Sequence, residues 1–177
     1  LIDNKELYKR CKFLRDHGRS SKISYFIEEV SPKYMPSNLI GSLALSQLKR
    51  IDELINRKRS ILYGYMKNFS SLNKTVFFNQ DDEIIYNGAW ATTMTYSKSY
   101  KINSIKLIKI LMKKGIPLRP FFYPLSSMPA YNKFKTFNPI SHDIFSRSVT
   151  LPSHYHTSSK QIGLISKKIK EVLLNEK

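Results

Sequence analysis

Residues 119–131, RPFFYPLSSMPAY, concentrate the side chains in this sequence best suited to holding a ligand. The prolines fix backbone angles, the aromatics offer ring faces, and no carboxylate competes for the single arginine. A guanidinium presents a planar fork of donors that matches a carboxylate or a diphosphate, so Arg119 can grip an anion while Tyr123 sets a ring beside it. The simpler use of such a stretch is packing, and at least one of Phe121 and Phe122 is expected in the core. A second group lies in KYMPSN, residues 33–38, ahead of a long apolar-periodic segment. There Lys33, Tyr34 and Asn38 stand at a helix N-terminus, whose free N–H groups favour an anion such as a phosphate. Helix capping by Ser37 or Asn38 accounts for the same pattern.

Other chemistry-bearing residues have simpler explanations. His154 and His156 alternate in HYH without a third metal ligand in view, and a polar loop after Leu151 and Pro152 explains them. Cys11 reads as a small buried hydrophobe and His17 as the end of a helix. There are no paired carboxylates in a loop, no nucleophile elbow, no P-loop and no dinucleotide fingerprint.

The elements that position these residues follow from periodicity. Asp3 and Glu6 have capping-box spacing, with Leu7, Cys11 and Leu14 on the inner face of a short helix ending near Gly18. Residues 19–33 lose the period and read as a loop. From Pro36 the apolar positions Ile40, Ala44, Leu48, Ile51, Ile55, Leu62, Met66 and Phe69 predict one continuous helix to about residue 69. At 1.5 Å per residue it would be roughly 50 Å long, enough to join two bodies. Glu53 and Arg57 form an i,i+4 ion pair on its polar side. Residues 89–97 read as a strand. A helix follows from Ser104, with Ile105, Ile108, Leu111 and Met112 inward and Gly115 as its stop. A short strand then enters the proline-rich stretch. The last helix starts at Ser158, boxed by Gln161, and turns Ile162, Ile165, Ile169 and Leu173 inward. Alternating strands and helices make this an α/β chain.

Composition bounds the partners. The chain has 177 residues and a formal charge of +17. Lysines outnumber arginines and are spread over helix faces, at Lys106, Lys109, Lys113 and Lys114 and again at Lys167, Lys168 and Lys170, so no specific nucleic-acid partner is expected. One cysteine excludes an intrachain disulfide. No apolar run approaches the roughly 18 residues of a membrane span, so a cytoplasmic protein without a membrane partner is expected.

The order of segments resembles the C-terminal half of the pyridoxal-phosphate-dependent sugar-nucleotide aminotransferases of the DegT/DnrJ/StrS family. LIDNKELYKRCKFLRDHGRS is similar to the segment after the cofactor lysine, and KYMPSNLIGSLALSQLKRIDELINRKRSIL to the turn and long helix that follow. GIPLRPFFYPLSSMPAY and LPSHYHTSSKQI resemble the closing small domain, in a form most similar to perosamine-synthase-like enzymes. The resemblance implies a fold-type-I, aspartate-aminotransferase-like architecture. Residues 1–35 would end the large cofactor-binding domain, 36–70 form the inter-domain helix and 71–177 the small α/β domain. It also implies that the Schiff-base lysine lies ahead of residue 1, so no catalytic residue is expected here and the chain alone would be inactive.

By the same resemblance, Lys33, Tyr34 and Asn38 bind the cofactor, pyridoxal 5'-phosphate, across a homodimer, and Arg119 and Tyr123 bind substrate. Lys33 departs from the family, which often has an asparagine there. The implied activity is transfer of an amino group from glutamate to a 4-keto-6-deoxy sugar nucleotide, giving amino sugars such as perosamine for surface polysaccharide, O-antigen included. Two rival readings are a catalytically inactive split half that only dimerises and a basic nucleic-acid-binding domain.

Overall fold

Asn4 opens the first helix, because its side-chain oxygen accepts from the backbone N–H groups of Glu6 and Leu7, each at 3.0 Å. The cap is thus one residue later than Asp3, and helix α1 runs Lys5–Leu14. The computed structural model describes residues 2–79, 81–134 and 138–176. Its backbone divides into two units, residues 1–51 and 52–177.

In the first unit, α1 is followed by a reversal at His17 and Gly18, with φ of 62° and 58°. A Cβ on Gly18 would lie 2.3 Å from the Glu29 carbonyl oxygen, so only glycine fits. Arg10 donates to both carboxylate oxygens of Glu29 at 2.7 and 2.6 Å, and the Ser31 hydroxyl donates to the Leu14 carbonyl. Helix α2, Asn38–Leu48, is capped by the Ser37 hydroxyl, which accepts from the Ile40 N–H. Expectations of burial fail in this unit. Leu7 and Cys11 are exposed, Leu14 is half-buried, and Gly18 is the one fully buried position among the described residues. The amphipathic pattern of α1 is real, but no element of residues 1–51 covers its apolar side.

The single helix expected from 36 to 69 is two helices. Lys49 and Arg50 interrupt it, the Arg50 N–H bonding to Gln47, three residues back, before α3 runs Ile51–Asn68. Hydrophobic spacing does not register a turn that tightens from i−4 to i−3 bonding. The local sign of a second start was the acidic pair Asp52 and Glu53, favourable at a helix N-terminus.

The second unit is built on a four-stranded antiparallel sheet of β1 (Val76–Phe78), β2 (Thr92–Tyr96), β3 (Arg119–Pro120) and β4 (Ser148–Leu151), in the order β1-β2-β4-β3. Val76 pairs with Tyr96, Thr92 with Leu151 and Arg119 with Thr150. Thr92, Met94 and Tyr96 alternate onto the covered face. There they meet Ile61 and Tyr65 of α3, Phe69 just after it, Leu107 and Leu111 of α4 (Ser104–Lys113), and Ile162, Ile169 and Leu173 of α6 (Ser159–Asn175). Helix α6 has the expected capping box between Ser158 and Gln161 and the expected inner face, with Ile165 partly buried.

Helix α4 turns differently from expectation. Leu107 and Leu111 point inward, whereas Ile105 and Met112 are exposed. The sequence IKLIKILM has overlapping apolar stripes, and the choice is made by Ser104, which is buried and donates to the Phe145 carbonyl at 3.0 Å. Gly115, at φ 77°, ends the helix and starts the chain toward β3.

Candidate functional site

Two core residues carry the chain into the proline-rich stretch. Ile116 and Leu118 are buried just before it, so Arg119 emerges as the first residue of the edge strand β3, with its side chain exposed. Only two residues of β3 pair with β4, at Thr150 and Val149. Beyond them the chain leaves the sheet and runs over the surface. Phe121 is therefore half-buried and Phe122 is 67% exposed, which corrects the expectation that one of them lies in the core. Their rings meet edge to face, with centroids 5.5 Å apart. Tyr123, 48% exposed, lies 4.4 Å from the ring of Phe145 on helix α5, Pro139–Ser146.

The loop then closes on itself. Residues Leu125–Ser127 form a single 3-10 turn, in which the Ser127 hydroxyl donates to the Pro124 carbonyl at 2.6 Å. Ser126 Oγ lies 2.9 Å from His142 Nε2, so α5 grips the loop at two positions three residues apart. Helix α5 is itself anchored by Asp143, which binds Arg147 at 2.9 Å and Lys98 at 2.9 Å. Hydrogen bonds from Arg147 first and Lys98 second bring the Asp143 carboxyl down to about 2. The loop so held carries the Arg119 guanidinium and three aromatic rings, of which those of Phe122 and Tyr123 are exposed.

In the first unit, Lys33 forms a backbone bridge with Asp16, and the N–H groups of Tyr34 and Met35 donate to the Arg15 carbonyl at 2.7 and 3.1 Å. Tyr34 is 75% exposed. Ser37 does the capping, which leaves the carboxamide of Asn38, the first residue of α2, available for other partners. Lys33, Tyr34 and Asn38 thus share one short segment, while Arg119 and Tyr123 belong to the other unit.

Sequence reasoning missed two clusters on α3. Arg59 donates to both carboxylate oxygens of Asp81 at 2.9 and 2.6 Å, to the Asn87 carbonyl at 2.6 Å and to the Tyr63 hydroxyl at 2.7 Å, and lies 4.0 Å from the Tyr86 ring centroid. The Arg59 and Tyr63 hydrogen bonds hold the Asp81 carboxyl well below the usual carboxylate range. On the same helix, Arg57 donates to the carbonyls of Tyr155 and Thr157, Lys58 to that of Ser153 and Tyr65 to that of Pro152. Glu53 accepts from the Tyr155 hydroxyl. Arg57 thereby serves the loop that carries His154 and His156 rather than a solvated pair with Glu53. The Arg-Lys-Arg run at 57–59 was the available signal, but its partners are far away in sequence. Among the described residues no His, Cys, Asp and Glu cluster can hold a metal, and no helix is long and apolar enough to cross a membrane.

Residues 1–170 match the DegT/DnrJ/EryC1/StrS aminotransferase family. The chain is 28% identical over 171 residues to GDP-perosamine synthase of Escherichia coli O157:H7, covering 97% of this chain and 46% of that protein. It is 24% identical to the putative pyridoxal phosphate-dependent aminotransferase EpsN of Bacillus subtilis (strain 168), covering 99% and 45%. Among solved structures, the PLP form of the putative sugar aminotransferase Spr1654 from Streptococcus pneumoniae superposes with a TM-score of 0.82 at 23% identity, over 99% of this chain and 45% of that one. Helicobacter pylori PseC, an aminotransferase of pseudoaminic acid biosynthesis, gives 0.82 at 17%, over 98% and 48%. These structures share this chain's α/β fold, and the chain spans about half the length of the curated relatives it matches. A family match over nearly every residue, joined to that fold, makes this chain a member of the DegT/DnrJ/EryC1/StrS aminotransferase family.

Proposed function

We propose that the protein carrying this chain transfers an amino group from glutamate to a 4-keto-6-deoxy sugar nucleotide, and that this chain supplies the substrate wall and part of the cofactor's phosphate site. The observation that carries the reading is the family match, combined with the exposure of both Arg119 and Tyr123 on a loop that α5 holds. The relatives named GDP-perosamine synthase favour a sugar carried on a nucleoside diphosphate. A diphosphate suits the planar fork of Arg119, and a sugar or base ring suits the exposed faces of Phe122 and Tyr123.

Pyridoxal 5'-phosphate fits the residues of the first unit in donor chemistry. Lys33, Tyr34 and Asn38 offer an ammonium, a phenol and a carboxamide, and Ser37 already satisfies the helix cap that would otherwise occupy Asn38. Those three side chains would hold the phosphate, and the cofactor when bound would carry the amino group between donor and acceptor. The contributions of this chain are binding and orientation. Arg119 fixes the anionic end of the substrate, the prolines keep the wall from collapsing, and α5 holds Tyr123 and Ser126 in place.

Calorimetric titration of the protein with GDP, UDP and TDP and their keto sugars tests the reading. Binding of a nucleotide sugar that is weakened by Arg119→Ala supports it. No binding of any sugar nucleotide favours the rival in which the chain serves only assembly, and binding indifferent to Arg119 removes that residue from the site.

A further inference from the structure

Helices α4 and α6 pack on one another over the covered face of the sheet, and their outward sides carry an unbalanced charge. On α4 the core is met by Ser104, Leu107 and Leu111, so Lys109 and Lys113 fall on the opposite side of the helix, beside Lys106, whose charge is balanced by Glu176 at the end of α6 (2.8 Å). On α6 it is met by Ile162, Ser166, Ile169 and Leu173, which turns Lys160 and Lys167 outward in the same way. Helix α4 has no carboxylate and α6 has only Glu171. The Lys168 ammonium donates to the Lys114 carbonyl at 3.1 Å, tying the two rows of lysines into one surface.

Aliphatic side chains stand exposed beside these lysines, with Met112 at 53% and Leu164 at 54%. A face made for nucleic acid would carry arginine forks and stacking aromatics, and neither helix has an arginine or an aromatic residue. Lysines flanking exposed aliphatics on a helical layer suit another polyanion. Ammonium groups meet headgroup phosphates, while the aliphatic side chains enter the boundary between headgroups and acyl chains. We propose that the outer face of α4 and α6 docks this protein on the surface of a bilayer rich in anionic phospholipid. The association is peripheral, because no described helix can cross the membrane. It stands independently of amino transfer.

The test is co-sedimentation at physiological salt with phosphatidylcholine vesicles containing phosphatidylglycerol, beside pure phosphatidylcholine vesicles. Net charge alone would bind a protein of +17, so the comparison needs two variants with equal charge change. Reversal of the face in K109E/K113E/K167E is expected to weaken vesicle binding at least about 10-fold, and reversal on α1 in K5E/K9E/K12E less than about 2-fold. The double substitution Met112→Ser with Leu164→Ser, which changes no charge, is expected to weaken vesicle binding several-fold and leave retention by single-stranded RNA unchanged. Equal binding to both vesicle types, or equal loss in the two charge variants, would overturn the proposal. If the serine variant binds vesicles like the parent and RNA competes fully, the face is a general polyanion surface and the lipid assignment fails.

Discussion

At the scale of single residues, function and stability separate cleanly. Arg119 is exposed on a two-residue edge strand and contributes nothing to the core, so its substitution should leave the melting temperature unchanged. If it grips a diphosphate, Arg119→Lys keeps the charge but loses the fork and Arg119→Ala loses both. The KM for the sugar nucleotide should rise roughly 10-fold and 100-fold respectively, the range for a charged hydrogen bond. Unchanged KM values in both variants would remove Arg119 from the site. Asp143 works for stability instead. Its folded carboxyl titrates near 2, against about 3.9 in an unfolded chain. Between those values the unfolded chain binds more protons, so stability rises with pH and is lost as pH falls from about 4 toward 2. Asp143→Asn should flatten that segment of the stability curve, and an equal acid slope in the variant would show that Arg147 and Lys98 do not act through this carboxylate.

At the scale of elements, the sheet and α3 offer a paired test in which one chemical change has opposite signs. Tyr65 is buried and its hydroxyl donates to the Pro152 carbonyl at 2.8 Å, so Tyr65→Phe should cost about 1–2 kcal/mol. Tyr96 is equally buried, yet its hydroxyl has no partner among the described residues, so Tyr96→Phe should be neutral or stabilise by up to about 1 kcal/mol. Denaturant midpoints for the two variants check this, and destabilisation of both by the same amount would contradict it. The elements also show what the sequence makes legible. Caps announced themselves at Ser158 with Gln161 and at Gly115, because the chemistry of a helix end is local. The break at Lys49 and Arg50 and the choice of inner face on α4 were hidden, since apolar spacing is continuous through the first and ambiguous in the second. Arg57 read only as an i,i+4 partner of Glu53, and Lys58 and Arg59 drew no reading, because the carbonyls and carboxylate they hold are brought to α3 only by folding.

At the scale of the whole molecule, the two units differ in what holds them. Residues 52–177 own every buried hydrophobic side chain among the described residues, whereas residues 1–51 expose Leu39, Ile40, Leu43 and Leu48 along α2. An unpartnered apolar face of that kind fits a chain that spans about half of its curated relatives. In the isolated 177-residue chain, amides of α1 and α2 should exchange quickly and limited proteolysis should cut within residues 1–51 first, while β2 and β4 stay protected. Slow exchange throughout residues 1–51 would mean that some contact covers them. The two candidate segments could be picked out because RPFFYPLSSMPAY and KYMPSN are dense local strings whose side-chain chemistry is visible without the fold. The supports of the first could not, because Phe145 and His142 reach the loop from a helix later in the chain. The measurement that bears most directly on the account is isotope transfer: the complete protein carrying this chain is incubated with pyridoxal phosphate, nitrogen-labelled glutamate and a GDP-linked 4-keto-6-deoxy hexose, and the nucleotide sugar is analysed by mass spectrometry. The account predicts label in a 4-amino sugar nucleotide, with transfer reduced at limiting substrate by Arg119→Ala. A protein that dimerises and binds the cofactor but leaves every sugar nucleotide unlabelled would contradict it.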